Sequence, residues 1–334
     1  MKILYLSCHS ILEYDEVKLL LEMGHDVFSH GAYMNPENQG DGLRPAIPNL
    51  NQDKKILEIA LRTNKDHLTE EMVEPFDTVI VMSLPHWISN NWEVLKKKRV
   101  ILRTIGQNSY VTEKAIAPFR KKGLQIIRYS AKEMTIPGYA GEDAIIRFYK
   151  EADVYGGWIG NIMRVINLTQ SMKNRGRECN YAFYRRAMQN LPHTLFGPHN
   201  ETIGEPWAKG ALSFDQMLEA FRRHRAYFYL GTYPTSYTLN FIEAWMTGIP
   251  LVALGPERGN DPQLLGHALY EGPDLISHGK DGFYSDDPLE LEQIFSDLLN
   301  DHDYAKAVSL EGRKKAIEIF GKEAVWSVWN NFLK

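Results

Sequence analysis

The sequence predicts an α/β chain made of two doubly wound, Rossmann-like parallel sheets. Short β-branched runs alternate with amphipathic helical stretches along 334 residues. The alternation stops at Tyr155-Gly-Gly-Trp-Ile-Gly160 and then restarts. At about 100–200 residues per domain, the length suits two cores. Strands that alternate with helices imply parallel pairing with both sheet faces covered.

Taken in order, Ile3–Ser7 reads as a first buried strand. A helical stripe of Val17, Leu20 and Leu21 follows and ends at Gly24, before a strand at Val27-Phe28. Residues 31–55 are rich in Gly, Pro and Asn and read as a long surface loop. Strands recur at Thr78–Met82, Val100–Arg103 and Leu124–Arg128, with helices between. The glycines at 156, 157 and 160 suit a hinge. Beyond them come a strand at Val165–Thr169, a helix from about Arg177 to Met188, a strand near Leu195-Phe196, and a helix opened by a Ser213/Gln216 capping box. A strand at Ala226–Leu230, a helix carrying Glu243, a strand at Leu251–Ala253 and two or three terminal helices complete the chain. The expected domains are 1–154, 155–318 and a final helix, 319–334, that returns to the first domain.

Composition narrows the function classes. A hydrophobic content of 44% with 24% charged residues is that of an ordinary globular protein, and a net charge of −4 gives no global attraction to nucleic acid or anionic membrane. The basic clusters Lys96–Arg99, Arg120–Lys122, Arg222–Arg225 and Arg313–Lys315 fall near predicted helix ends and read as solvated faces. The two cysteines, Cys8 and Cys179, show no metal spacing, and with no signal peptide or membrane-length apolar run they point to a cytoplasmic protein. The sequons at Asn167 and Asn200 then read as chance matches.

The segment from Tyr233 to Pro250 carries the chemistry. Its inward stripe is Leu239, Ile242, Glu243 and Met246, so a carboxylate points where a hydrocarbon is expected. Buried there, it needs hydrogen-bond donors, and paired ribose hydroxyls would supply them. The competing reading is a carboxylate paired with a neighbouring Arg or Tyr. Thr235, Ser236, Tyr237, Thr238 and Leu239 open the helix, and free N–H groups at such an end favour a phosphate.

The run Phe241-Ile-Glu-Ala-Trp-Met-Thr-Gly-Ile-Pro-Leu-Val-Ala253 resembles the donor-site motif of retaining GT-B glycosyltransferases. The resemblance covers roughly residues 160–333 and is looser before them. It implies that Glu243 binds the ribose of a nucleoside-diphosphate sugar. The family's second Glu, which touches the sugar, is replaced here by Thr235. Thr169-Gln-Ser-Met-Lys-Asn-Arg-Gly176 is similar to the family's phosphate-holding loop: Arg175 takes the Lys position and Gln170 replaces the Arg, leaving Lys173 or Arg177 to supply the charge. Gly210-Ala-Leu212-Ser213 resembles the turn that reads the nucleobase.

In the first half, Cys8-His9-Ser10 and Pro85-His86-Trp87 follow strands, so His9 and Ser10 are expected on the acceptor side of the cleft and His86 at the reacting groups. The expected activity is retaining, metal-independent transfer of a sugar from a nucleotide donor, with UDP the expected nucleotide and no further cofactor. The acceptor is a glycan, a small molecule or modified DNA, and the protein is a monomer or homodimer. The alternatives are a phage-type glycosyltransferase of hydroxymethylated DNA bases and a nucleotide-binding module without turnover. The Asp-x-Asp metal site of the other large glycosyltransferase class has one match, Asp301-His-Asp303, placed between terminal helices, and GxGxxG and GxxxxGK[ST] are absent.

Overall fold

The computed structural model describes residues 1–334 except 38, 43, 52 and 262–266. The chain divides into two compact units, Met1–Tyr149 with Glu323–Lys334, and Lys150–Lys322.

Unit 1 is a six-stranded parallel sheet in the order β2-β1-β3-β4-β5-β6. Its strands are β1 (Lys2–Leu6), β2 (Asp26–His30), β3 (Thr78–Met82), β4 (Arg99–Arg103), β5 (Gln125–Arg128) and β6 (Ala144–Ile145). The longer helices between them are α1 (Ser10–Glu22), α2 (Lys54–Arg62), α3 (Pro85–Leu95) and α4 (Tyr110–Arg120). Every residue of β3 is buried, which is why the run Thr-Val-Ile-Val-Met shows no polar alternation. Leu4, Leu6, Val79, Val81, Val100 and Leu102, two residues apart along each strand, form one core with Ile59, Ile88 and Ile116 of the helices. The 31–55 stretch holds a short 3₁₀ turn, Gln39–Gly42, before Asp53 caps α2 through the Lys55 and Ile56 amides.

Buried polar groups brace the carboxyl edge of this sheet. Glu133 is 1% exposed and accepts hydrogen bonds from Thr104 Oγ1 at 2.6 Å, from the Tyr129 amide and from Asn108 Nδ2. Burial pushes its carboxyl up to about 7, against the lowering effect of Arg128 and the two side-chain donors. The folded group thus keeps its proton to about pH 7, whereas an unfolded one releases it near 4.5. Its stabilising contribution is intact below the unfolded value and is lost as pH rises through the folded one. The stability of the wild-type chain is expected to fall across that window, and Glu133→Gln to flatten the fall. Urea midpoints across the range, unchanged in slope by the substitution, would refute this.

Unit 2 is a five-stranded parallel sheet, β11-β10-β9-β7-β8. The strands are β7 (Ile162–Leu168), β8 (His193–Phe196), β9 (His224–Tyr229), β10 (Leu251–Leu254) and β11 (Phe283–Ser285). Its longer helices are α5 (Tyr181–Ala187), α6 (Phe214–Arg223), α7 (Leu239–Thr247), α8 (Pro288–Asn300) and α9 (His302–Phe320). The Ser213/Gln216 capping box is formed as expected. The helix expected from Arg177 begins only at Tyr181, because Gly176 and Asn180 adopt left-handed φ angles of +52° and break the run into a turn, Met172–Arg175, and a 3₁₀ segment, Gly176–Cys179. The strand β11, three residues long, has no counterpart among the sequence expectations.

Two expectations are corrected here. The glycine segment lies within unit 2 and is tied to it: Arg222 Nε donates to Gly156 O at 2.8 Å, Arg225 Nε to Gly160 O at 2.6 Å, and the Ile159 amide to Arg222 O at 2.8 Å. The Arg222–Arg225 cluster is therefore not merely a solvated face. Arg225 is 6% exposed and also reaches the last carbonyls of α8, at Leu298 and Leu299.

The last helix, α10 (Lys322–Leu333), belongs to unit 1 from Glu323 onward. Arg99 at the start of β4 holds its end, donating to Phe332 O at 2.7 Å and Leu333 O at 3.2 Å, and Trp329 is fully buried. No described helix is long and apolar enough to cross a membrane.

Candidate functional site

In open parallel sheets ligands bind outside the carboxyl ends of the strands where the strand order reverses. In unit 2 that point lies between β7 and β9. The segments beyond these strands, Thr169–Gly176 and Leu230–Thr238, contain most of the residues expected to bind the donor.

Asn200, fully buried beyond β8, shapes the first segment. Its Nδ2 donates to Thr169 O at 2.6 Å and its Oδ1 accepts from the Met172 amide at 2.9 Å. Gly197 lets this loop approach: a Cβ there would sit 2.5 Å from Thr169 O, at a φ of +137°. Ser171 and His199 hold left-handed φ angles of +49° and +67° without being glycine, strain of the kind that gathers at functional loops. Sequence reasoning missed Asn200 and met it only as a sequon; Asn167, the other sequon, is also buried, with Nδ2 on Phe228 O.

The loop's cations differ in availability. Arg177 is engaged by Asp261 at 2.6 Å, and Arg175 lies 3.6 Å from Glu178. Lys173 and Gln170 are exposed, and no described carboxylate pairs with Lys173. Of the two cations expected to replace the lost arginine charge, Lys173 is the one left open to a ligand.

Helix α7 starts at Leu239, later than expected. Thr235 Oγ1 turns back to Thr232 O, and Thr238 is the N-cap without a side-chain capping bond, so neither threonine hydroxyl caps the helix. The Leu239 and Asn240 amides find no acceptor among the described residues. Asn240 Nδ2 donates to Leu168 O at 2.8 Å and the Thr238 amide to Tyr229 OH at 2.9 Å, which pins this helix end to the tips of β7 and β9. Ser236 and Tyr237 are buried under the turn, and Leu239 is half-buried at its surface. Leu212 is half-buried in the turn before α6, which joins the same edge through Gly197 N and Gly210 O at 3.0 Å.

Glu243 does face inward, at 2% exposure. Its Oε1 accepts from Lys150 Nζ at 2.7 Å and from Tyr155 OH at 3.1 Å, and the Lys150 side chain is fully buried. The partner is thus a lysine, which sequence reasoning did not single out, together with a tyrosine. The only signal was a second cation, after Arg147, at the end of the otherwise apolar run Ile145-Ile-Arg-Phe-Tyr149.

In unit 1 the order reverses between β1 and β3. His9 is the N-cap of α1, accepting from the Leu12 amide through Nδ1 at 3.4 Å, and Ser10 follows it in the first turn. Both line a cavity of about 510 Å³. His86 stands apart from that lining, in the first turn of α3, with its side chain 52% exposed and Nε2 3.3 Å from Asp66. Among the described residues no group of three His, Cys, Asp or Glu side chains is placed to hold a metal ion, and both cysteines are free.

No protein-family model and no curated protein matches the sequence. Solved structures do match the fold. Anabaena HepE, solved in complex with UDP-glucose, is similar at a TM-score of 0.66 over 100% of this chain and 99% of its own, with 12% identity. A glycosyltransferase from Rickettsia africae is similar at 0.70 over 100% and 98%, with 13% identity. S. aureus TarM, a mutant of which was solved with UDP, is similar at 0.58 over 84% of this chain and 58% of its own, with 12% identity. The chain has the expected GT-B fold of two doubly wound sheets.

Proposed function

We propose that the chain is a glycosyltransferase that moves a sugar from a nucleoside-diphosphate donor, UDP-sugar first among them, to an acceptor hydroxyl, with retention and without a metal. The observation that carries this reading is the edge of unit 2 at the β7/β9 reversal: unbonded amides at the start of α7, which is bonded to the tip of β7, and an exposed Lys173 on the loop that leaves that strand and is fixed by Asn200. Amides and a cation in that arrangement suit a diphosphate, and they would neutralise its charge as it leaves the sugar. Solved neighbours whose names record UDP or UDP-glucose support the choice of nucleotide. Glu243 is proposed as the ribose acceptor, sharing its carboxylate with Lys150 and Tyr155. In a retaining transfer the departing phosphate takes the acceptor proton, so His86 is proposed to orient a substrate hydroxyl rather than to act as an obligatory base.

The test is binding followed by turnover. UDP at a hundred times its Kd should stabilise the folded chain by about 2.7 kcal/mol, read as a rise in melting temperature. Lys173→Ala is expected to weaken UDP by about 1 kcal/mol, the modest effect of an exposed cation. If no UDP-, GDP-, ADP- or TDP-sugar shifts the melting temperature, the donor site is refuted. Binding without release of UDP from any donor, with or without acceptor, would leave a nucleotide-binding module in place of an enzyme.

A further inference from the structure

The cavity beside α1 in unit 1 holds a cation without a counter-charge in contact. Lys65, on the loop after α2, lines it together with Cys8, His9, Ser10 and Gly31. The Lys65 ammonium donates to Ser7 O at 2.7 Å and lies 4.6 Å from the centroid of the Trp87 ring. No described carboxylate is within ion-pair distance of it. An ammonium has three donors, so one carbonyl and one ring face leave capacity toward the cavity. Burial lowers its pKa, and the nearby charge of Glu13 is the largest opposing influence.

The rest of the wall is built around the same opening. Glu13 also lines it, but its oxygens are occupied: Oε1 accepts from Ser29 Oγ at 2.6 Å and the Tyr33 amide at 3.1 Å, and Oε2 from the Ala32 amide at 2.9 Å. These bonds fix the turn after β2. Only glycine fits at 31, where a Cβ would meet Glu13 Oε2 at 2.2 Å. The Ser10 and Ile11 amides, in the leading turn of α1, have no acceptor among the described residues. His30, immediately before Gly31, is 6% exposed, and its Nδ1 has no hydrogen-bond partner. Burial and the charge of Lys65 push its pKa down to about 4, so it adds no second cation near neutral pH.

We propose that this cavity binds an oxyanion of the acceptor, a carboxylate or a phosphodiester, through Lys65 and the Ser10 and Ile11 amides. A single negative charge is favoured because Glu13 shares the wall. The proposal rests on the glycosyltransferase reading and names a substrate class for it.

Amide chemical-shift titrations of the full chain with acetate, dimethyl phosphate and neutral acetamide test it. Either anion should shift Ser10, Ile11 and Gly31 with saturation, and acetamide should not. Lys65→Met is expected to weaken the anions about tenfold, whereas Lys65→Arg, which keeps the charge, changes them by less than about threefold. Silence at these amides, equal shifts with acetamide, or an unaltered affinity in Lys65→Met overturns the site. A UDP titration separates the two sources of oxyanion. UDP shifts confined to Thr169–Gly176 and the start of α7 support an acceptor group. Shifts by UDP at Ser10 and Ile11, lost in Lys65→Met, overturn the acceptor assignment in favour of the donor diphosphate. Lys65-dependent anion binding with no UDP binding at all supports the oxyanion site and refutes the donor reading on which its role was built.

Discussion

Glu243→Ala is expected to destabilise unit 2 by about 3–5 kcal/mol, the cost of breaking a buried ion pair by removing one of its members. Lys150 is fully buried, its Nζ 2.7 Å from Glu243 Oε1. Removing both charges is far milder, because a well-packed apolar pair avoids the desolvation of two ions. Lys150→Met with Glu243→Leu should therefore recover most of the loss in urea unfolding at an unchanged denaturant slope. A single variant that lost under about 1 kcal/mol would mean that water or another group serves Lys150. The double variant also isolates the binding role. If Glu243 takes the ribose, UDP affinity in that folded protein falls by about 1–3 kcal/mol. Wild-type affinity there would confine Glu243 to holding the fold.

Arg103→Met is expected to cost unit 1 a similar amount, about 3–5 kcal/mol. The guanidinium is fully buried, with Nε 2.6 Å from Glu16 Oε1 and Nη1 2.7 Å from Ile146 O. Glu16 Oε2 in turn accepts from Tyr5 OH at 2.5 Å, so the substitution strips one oxygen of a buried carboxylate and leaves the other on a phenol. Burial first, and then the charge of Glu16, already hold the Tyr5 pKa well above its ordinary value, so the phenol offers a hydrogen bond but no charge. Arg103→Lys should restore only part of the loss, because a point ammonium cannot reach the carboxylate and the Ile146 carbonyl together. Calorimetry would show both variants, and a full rescue by lysine would contradict the need for two partners held at once.

Most of the strand frame was legible because buried parallel strands spell themselves in β-branched residues: the bounds expected for β3 match those found. The inward direction of Glu243 was legible for a similar reason, since helical period sets the face. Its partner was not. Lys150 lies 93 residues away, and no local period encodes a contact brought about by tertiary packing. Asn200 was hidden for the same cause, because its bonds to Thr169 and Met172 form only when β8 lies beside β7. The start of α7 was misplaced because Thr and Ser are strong capping signals, yet here Thr235 closes a turn of its own. The lysine beside α1 escaped notice because a cation in a polar loop reads as solvated until the fold sets it against Trp87.

The Arg99 clasp on α10 has a consequence for biosynthesis. A ribosome delivers five strands of the second sheet before the residues that bury Trp329 against the first. Although amino-terminal domains generally mature first during translation, here the earlier-made half waits, incomplete at one side, until the later half has been synthesised.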